Sequence, residues 1–142
     1  MGKSRVEARI TIRAKIEDVF EQLIDHEAMA SWPGIGACTL VEEGTPRNGL
    51  GAVRRVRVGG LTIDEKVVLY DPPHAFDYAI IRGVPVNDHL GEVRFSETDG
   101  RVEVVWNIRI SSRWPFVAAI MASQLRRGIP RALRFVAKRL EG

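Results

Sequence analysis

The chain opens with an alternation of apolar and polar residues. Its apolar side chains occupy every second position: Val6, Ala8, Ile10 and Ile12. A period of two predicts a half-buried strand. Between residues 16 and 24 the apolar positions recur every three or four residues, which predicts a short amphipathic helix. A second short helix is expected to carry Ala28, Met29 and Trp32, ending before Pro33-Gly34.

The middle of the chain has the pattern of strands separated by turns. Glycine, proline and asparagine or aspartate residues punctuate it at intervals, as they do in β-hairpins. We expect six strands, at residues 37–43, 50–58, 61–70, 76–82, 87–96 and 101–112.

Two of these turns predict strand register. A two-residue turn at Gly59-Gly60 pairs Val58 with Leu61, Val56 with Ile63, Arg54 with Glu65, and Ala52 with Val67. A two-residue turn at Asp99-Gly100 pairs Phe95 with Val104, Val93 with Trp106, Gly91 with Ile108, and His89 with Ile110. In both hairpins the apolar patterns of the two partner strands agree, which favours an antiparallel sheet.

The last segment, residues 114–140, has helical periodicity and predicts one long helix. Six basic residues fall in its last part: Arg126, Arg127, Arg131, Arg134, Lys138 and Arg139. Such a stripe is found on nucleic-acid or membrane-surface helices, and more often on the solvated face of an amphipathic helix. We favour the solvated face, so no nucleic-acid partner is expected.

Size and composition limit the remaining choices. A chain of 142 residues, 45% apolar and 27% charged, fits a single globular domain over residues 1–142. No apolar run approaches the ~20 residues needed to cross a bilayer. The N-terminus lacks the pattern of a signal peptide, and Cys38 is the only cysteine. We therefore expect a cytoplasmic protein without a membrane span or an internal disulfide.

The order of elements and several local motifs resemble a known superfamily. The motifs are residues 14–20, Trp32-Pro33, 49–56, 68–73, Tyr78 and 104–106. Together they resemble the helix-grip proteins of the START-related superfamily (SRPBCC), in the polyketide cyclase/dehydrase-like group. Lys15 departs from the pattern, because such proteins often carry proline there. The resemblance implies an α+β fold in which a curved seven-stranded antiparallel sheet wraps around a long C-terminal helix and encloses a ligand cavity.

The resemblance also implies a range of functions. Known members bind lipids, polyketides, quinones, hormones or other apolar molecules, and only some catalyse reactions. The chain has no nucleophile elbow, phosphate-binding loop or dinucleotide motif. Its three histidines, His26, His74 and His89, are far apart in sequence. We therefore expect neither a cofactor nor a metal site.

The candidate site residues are polar or aromatic side chains on the predicted inner face of the sheet. Arg54 and Glu65 form either a ligand-binding or catalytic pair or a buried ion pair that only locks the hairpin. His89 is either a general base or a neutral histidine at the cavity rim, and the rim is favoured. Asn87 shares the parity of His89.

Aromatic and helical side chains complete the candidate ligand-binding set: Tyr78, Trp106, Trp32, Met121 and Leu125. Tyr78 and Trp106 suit stacking on a ligand, although packing is the simpler interpretation for Trp106. Trp32 either forms part of the cavity entrance or only holds the short helix on the sheet. Cys38 is interpreted as a small buried hydrophobe.

Three functions remain as alternatives. The leading one is binding of an apolar or amphipathic small molecule of lipid, polyketide or aromatic type. The second is a cyclase/dehydratase-like enzyme, in which Glu65 or His89 removes a proton beside a carbonyl and Arg54 stabilises the enolate. The third is a protein- or ribosome-interacting module that uses the stripe from Arg127 to Lys138. A homodimer is compatible with each of them.

Overall fold

A seven-stranded antiparallel sheet and one long helix make up most of the molecule. The computed structural model describes residues 2–142. The elements are β1 (Gly2–Ile12), α1 (Ile16–Ile24), a short 3-10 helix (Ala28–Ser31), β2 (Ile35–Glu42), β3 (Val53–Val58), β4 (Leu61–Asp71), β5 (Ala75–Arg82), β6 (Asp88–Thr98), β7 (Arg101–Ser112) and α2 (Pro115–Glu141). The predicted helix-grip fold is confirmed.

The order of strands across the sheet is β1-β7-β6-β5-β4-β3-β2, and every neighbouring pair is antiparallel. The first strand therefore lies beside the last one. Helix α2 follows β7 and runs back over β1 and β7, so that its C-terminal end meets the end of β1, where the backbone N–H of Arg13 donates to the Glu141 carboxylate at 2.8 Å. The helix consequently covers one side of the concave face.

The two predicted hairpin registers are confirmed for all pairs within the strands. Arg54 lies opposite Glu65 in β3 and β4, and His89 lies opposite Ile110 in β6 and β7. The prediction was wrong about where β3 begins. Gly51 has a φ of +88°, which takes the chain out of the strand conformation just before Ala52. The backbone N–H of Val67 still donates to the Ala52 carbonyl at 2.9 Å, so the expected pair is retained beyond the end of the strand.

Other element boundaries differ by a few residues from those expected. Strand β2 begins at Ile35 and β6 begins at Asp88. Trp32 follows the 3-10 helix instead of belonging to it, because its backbone is extended (φ −73°, ψ 148°). Helix α1 occupies the expected range, and five of its side chains are buried: Ile16, Val19, Phe20, Leu23 and Ile24.

Aromatic packing closes one end of the sheet. The ring of Phe20 in α1 lies 5.8 Å from those of Tyr70 and Phe76 and 5.2 Å from that of Phe95. These three partners lie where β4 ends, β5 begins and β6 ends. Burial of each such side chain stabilises the fold by about 1.5–3 kcal/mol, and edge-to-face contacts add to it. Any cavity is thereby confined to the other end.

Within the described residues, neither helix combines the length and the apolar character that a membrane span requires.

A candidate ligand cavity between the sheet and the C-terminal helix

A cavity of about 190 Å³ lies between the inner face of the sheet and helix α2. The sheet contributes residues of β2 to β7, and the 3-10 helix with the segment that follows it forms a third wall. Most of the lining is apolar: Met29, Trp32, Ile35, Val56, Val58, Leu61, Ile63, Ile80, Trp106, Met121, Leu125, Ile129 and Ala132. Glu65, Tyr78, His89 and Gln124 supply polar groups.

Seven of the nine candidate ligand-binding residues line this cavity: Trp32, Glu65, Tyr78, His89, Trp106, Met121 and Leu125. Arg54 and Asn87 are not among the lining residues. Asn87 lies one residue before β6 begins, its side chain is exposed, and its backbone N–H donates to the Ser111 carbonyl at 2.8 Å. The alternation that predicted an inward position does not hold there, because the strand has not yet begun.

Arg54 lies behind the cavity wall instead of in it. It is only 2% exposed, and its Nε donates to Glu65 Oε1 at 2.7 Å. Its Nη1 lies 3.2 Å from His26 Nδ1, and its guanidinium carbon lies 4.8 Å from the centre of the Tyr78 ring. Since a guanidinium can only donate, His26 Nδ1 is the acceptor in this contact. A carboxylate, an imidazole and an aromatic face therefore surround the charge of Arg54.

Glu65 is the member of the pair that faces the cavity. Arg54 holds Oε1, whereas no side chain or backbone group of residues 2–142 donates a hydrogen bond to Oε2. The side chain is 13% exposed, so the carboxylate lies at the edge of an apolar space. One oxygen anchored by a cation leaves the other as a fixed acceptor for a hydroxyl group.

His89 faces the same space as a neutral ring. Its Nδ1 accepts a hydrogen bond from the backbone N–H of Ile80 at 3.2 Å, which leaves the ring proton on Nε2. Burial lowers the pKa of His89, and the positive charge of Arg54 lowers it further, against an opposing effect of Glu65. With its lone pair engaged by Ile80, the ring is a hydrogen-bond donor and lacks the free nitrogen that a general base needs.

The aromatic side chains form a connected row beside these polar groups. Trp106 Nε1 donates to the Tyr78 hydroxyl at 2.9 Å, and the Trp32 and Trp106 rings meet edge to face at 6.2 Å. Burial raises the pKa of Tyr78, so its phenol stays protonated. The Tyr78 ring rests on Gly91, where an added Cβ would overlap the ring.

Trp32 carries an unpaired donor. Its side chain is 4% exposed, and its buried Nε1 has no hydrogen-bond partner among the described residues. An unsatisfied buried N–H costs free energy, of order 1–3 kcal/mol, unless a ligand or water pairs with it. This donor on a lining residue complements the Glu65 acceptor.

His26 contacts Arg54 beside the cavity, and the sequence did not predict this contact. It is fully buried, and burial, Arg54 and Arg47 lower its pKa to about 3, although the Asn48 backbone acts in the opposite direction. Helix α1 ends at Ile24, so His26 lies beyond it and helical spacing does not indicate its burial. Among residues 2–142, no group of three potential metal ligands comes together.

Cys38 is buried, as expected. Desolvation, together with smaller electrostatic effects, raises the pKa of its thiol to about 11. The side chain is therefore an inert part of the core.

The sheet, the helix that it grips and the apolar cavity between them define the class of helix-grip ligand-binding domains. The sequence matches the family described as "Polyketide cyclase / dehydrase and lipid transport" over residues 3–141. The chain belongs to that family, which confirms the resemblance drawn from the motifs. Family and fold indicate a START/polyketide cyclase-like domain for hydrophobic ligands.

Solved structures with the same fold come from bacteria and plants. The ZhuI aromatase/cyclase from Streptomyces sp. R1128 is 22% identical with a TM-score of 0.83, covering 98% of this chain and 94% of its own. Major latex-like protein 151 from Panax ginseng is 15% identical with a TM-score of 0.79, covering 99% of both chains. A START superfamily protein from Mycobacterium smegmatis is 14% identical with a TM-score of 0.78, covering 96% and 98%. No curated protein matches the sequence.

Proposed function

We propose that this protein binds a compact amphipathic molecule, with an apolar ring system and a hydrogen-bonding group, in the cavity between the sheet and α2. The observation that carries the proposal is the combination of apolar walls with the oriented polar groups of Glu65, His89 and Trp32. Apolar burial supplies affinity in such a site, and the few polar groups fix orientation.

Cavity size favours an aromatic or polyketide type of ligand over a long acyl chain. An apolar cavity of about 150 Å³ holds benzene, and the cavity here measures about 190 Å³. One or two fused rings match this volume. The name aromatase/cyclase of the Streptomyces neighbour is consistent with a ring-shaped ligand.

The polar groups suggest what the ligand carries. Glu65 Oε2 is an acceptor and suits a hydroxyl, whereas the N–H groups of His89 and Trp32 suit a carbonyl or another hydroxyl. Each satisfied hydrogen bond adds about 0.5–1.5 kcal/mol, or more to the charged carboxylate. A phenol or hydroxyketone meets both requirements better than a hydrocarbon does.

The cyclase/dehydratase-like alternative depends on Glu65. Of the three groups that it requires, Arg54 does not line the cavity and is held by Glu65 and His26, and His89 Nδ1 is engaged by Ile80. Only the Glu65 carboxylate remains as a proton acceptor beside the cavity. These contacts support binding as the principal function.

The other expectations remain predictions. The basic stripe on α2 is exposed, as a partner-binding surface would require. Its residues are Arg127, Arg131, Arg134 and Lys138. A homodimer and a cytoplasmic location likewise stay predictions.

A test uses naphthalene, 2-naphthol and 2-naphthoate as probes, measured by calorimetry on the whole protein. We expect 2-naphthol to bind about tenfold more tightly than naphthalene, since its hydroxyl pairs with Glu65. The naphthoate should bind worst, because its carboxylate would meet that of Glu65. In Glu65→Gln the preference for 2-naphthol should shrink, whereas Glu92→Gln on the outer face serves as a matched control. Failure of all three probes to bind, with native mass spectrometry showing an empty protein, would refute ligand binding.

A further inference from the structure

The strand ends on the cavity side carry a distinct surface. In this antiparallel order the start of β1, the end of β7, the start of β6, the end of β5, the start of β4 and the end of β3 lie at one end of the sheet. Helix α2 begins there because it follows β7 directly. We call this region, residues 2–5, 57–61, 81–88 and 112–120, the open end. Val58 and Leu61 belong to it and also line the cavity, so the cavity reaches this surface.

Exposed apolar side chains are concentrated at the open end. Among the described residues, six of the ten exposed large hydrophobic side chains lie there: Val58, Leu61, Ile81, Trp114, Phe116 and Ile120. Three belong to the start of α2, where Trp114 is 54%, Phe116 61% and Ile120 55% exposed. The surfaces of soluble proteins tolerate single exposed apolar residues, whereas several exposed apolar side chains in one region mark an interaction site.

The same region is positively charged. Lys3, Arg5, Arg57 and Arg113 have exposed side chains there, against the exposed carboxylate of Asp88. A depression of about 770 Å³ across the ends of β1, β7 and β6 is lined by Lys3, Arg5 and Arg109, with Asp88 as its acidic member. A negatively charged partner therefore fits this surface.

We propose that the open end docks on an anionic phospholipid surface, with Trp114, Phe116 and Ile120 entering the headgroup region. The apolar side chains come from a hairpin tip, the end of β5 and a helix start, separate segments with basic residues around them. A fluid lipid surface accepts scattered apolar side chains without the shape complementarity that a protein partner requires. Tryptophan and phenylalanine favour the interface, and each nearby Lys or Arg adds attraction to anionic lipid.

Docking in this orientation turns the cavity opening toward the lipid. An apolar ligand then passes between membrane and cavity without crossing water. The part of the docking surface at the start of α2 is separate from the cavity, because Phe116 and Ile120 are not lining residues. An empty cavity and a failed docking experiment are thus separate outcomes.

The test measures co-sedimentation of the whole protein with vesicles of phosphatidylcholine alone or of an equal mixture with phosphatidylglycerol. We expect binding to the anionic vesicles that weakens as salt is raised. Tryptophan emission should shift to the blue on binding. Trp32 and Trp106 are already buried, so the shift reports Trp114 and should vanish in Trp114→Phe.

Two variants probe the two parts of the surface. Phe116→Gln with Ile120→Gln should weaken vesicle binding about tenfold or more, whereas Val68→Gln, on an exposed apolar residue in the middle of β4, should not. Lys3→Glu with Arg5→Glu should also weaken vesicle binding and should reduce its salt dependence. Arg101→Glu, at the opposite end of the sheet, is the control and should leave binding unchanged. Absence of binding to anionic vesicles, or unchanged binding of both double variants, would overturn the proposal. So would a dimer in light scattering that the Phe116/Ile120 variant abolishes, since it would assign the surface to a second copy.

Discussion

The guanidinium of Arg54 holds one oxygen of Glu65 at 2.7 Å, and Glu65, unlike Arg54, lines the cavity. The two residues were expected to act either as a functional pair or as a structural ion pair. Their contacts divide these roles, because Arg54 anchors and Glu65 lines the cavity. Both side chains are largely shielded from water, 3% and 13% exposed, so each charge needs the other as its partner.

Removing Arg54 should therefore destabilise the protein strongly. Arg54→Met leaves the Glu65 carboxylate without its partner, and we expect a loss of about 3–5 kcal/mol in urea unfolding. The double variant Arg54→Met/Glu65→Met should recover much of this loss, since neither charge remains. Arg47→Met, in an exposed pair with Glu27 and Glu43, should barely move the midpoint. A single Arg54 variant as stable as wild type would contradict the contacts described.

Two buried histidines should make stability depend on pH. Burial lowers the pKa of His26 to about 3 and also lowers the pKa of His89, so the unfolded chain binds these protons more readily than the folded one. Stability is then complete above about pH 6.5 and falls as pH decreases toward 5, by at most ~1.4 kcal/mol per pH unit for each histidine.

Unfolding by urea between pH 7.5 and pH 5 checks this. His26→Gln should reduce the slope, and His26→Gln/His89→Gln should nearly abolish it. His74→Gln, on an exposed histidine, is the control and should leave the slope unchanged. A slope that survives the double substitution would mean that other groups carry the pH dependence.

Cys38 should resist thiol reagents while the protein is folded. Desolvation raises the pKa of the thiol to about 11 from a usual value near 9, which alone reduces the reactive thiolate about hundredfold. The reaction with a coloured disulfide reagent should be very slow in buffer and complete in urea. Rapid modification of one thiol in the native protein would show that Cys38 becomes accessible.

Filling the cavity should block ligand uptake without unfolding the protein. Leu125→Trp replaces a leucine side chain by a larger indole in a cavity of about 190 Å³. It should weaken binding of 2-naphthol about tenfold or more. The cost in stability should stay near 1–3 kcal/mol. Ser123→Trp, on the exposed face of the same helix, should leave binding unchanged. Equal binding by both variants would place the ligand elsewhere.

The sequence was sufficient to predict strand pairing where a short turn determines the register. The Gly59-Gly60 and Asp99-Gly100 turns fix which residues face each other, so Arg54 opposite Glu65 and the inward position of His89 followed from turn length and alternation. Trp106 was placed on the inner face by the second of these registers, whereas Tyr78 was expected there although neither turn joins its strand. These residues all lie within strands, although Arg54 and His89 are only the second residues of β3 and β6.

The sequence was insufficient where contacts join distant elements. The contact of His26 with Arg54 joins the turn after α1 to β3, and no local pattern encodes it. The prediction that Asn87 faces inward was wrong because the alternation of β6 was extended to a residue before the strand begins. The unpaired Nε1 of Trp32 and the hydrogen bond of Ile80 to His89 also depend on packing and strand ends that periodicity does not specify.

The Tyr78 ring resting on Gly91 has a consequence for how this container can vary. Gly91 does not line the cavity, yet the absence of its side chain allows the Tyr78 ring to take its position in the cavity wall. A methyl group at that position would overlap the Tyr78 ring, so the ring and the part of the wall that it forms would have to move. Ligand preference in such domains can thus change through substitutions that a comparison of lining residues alone would overlook.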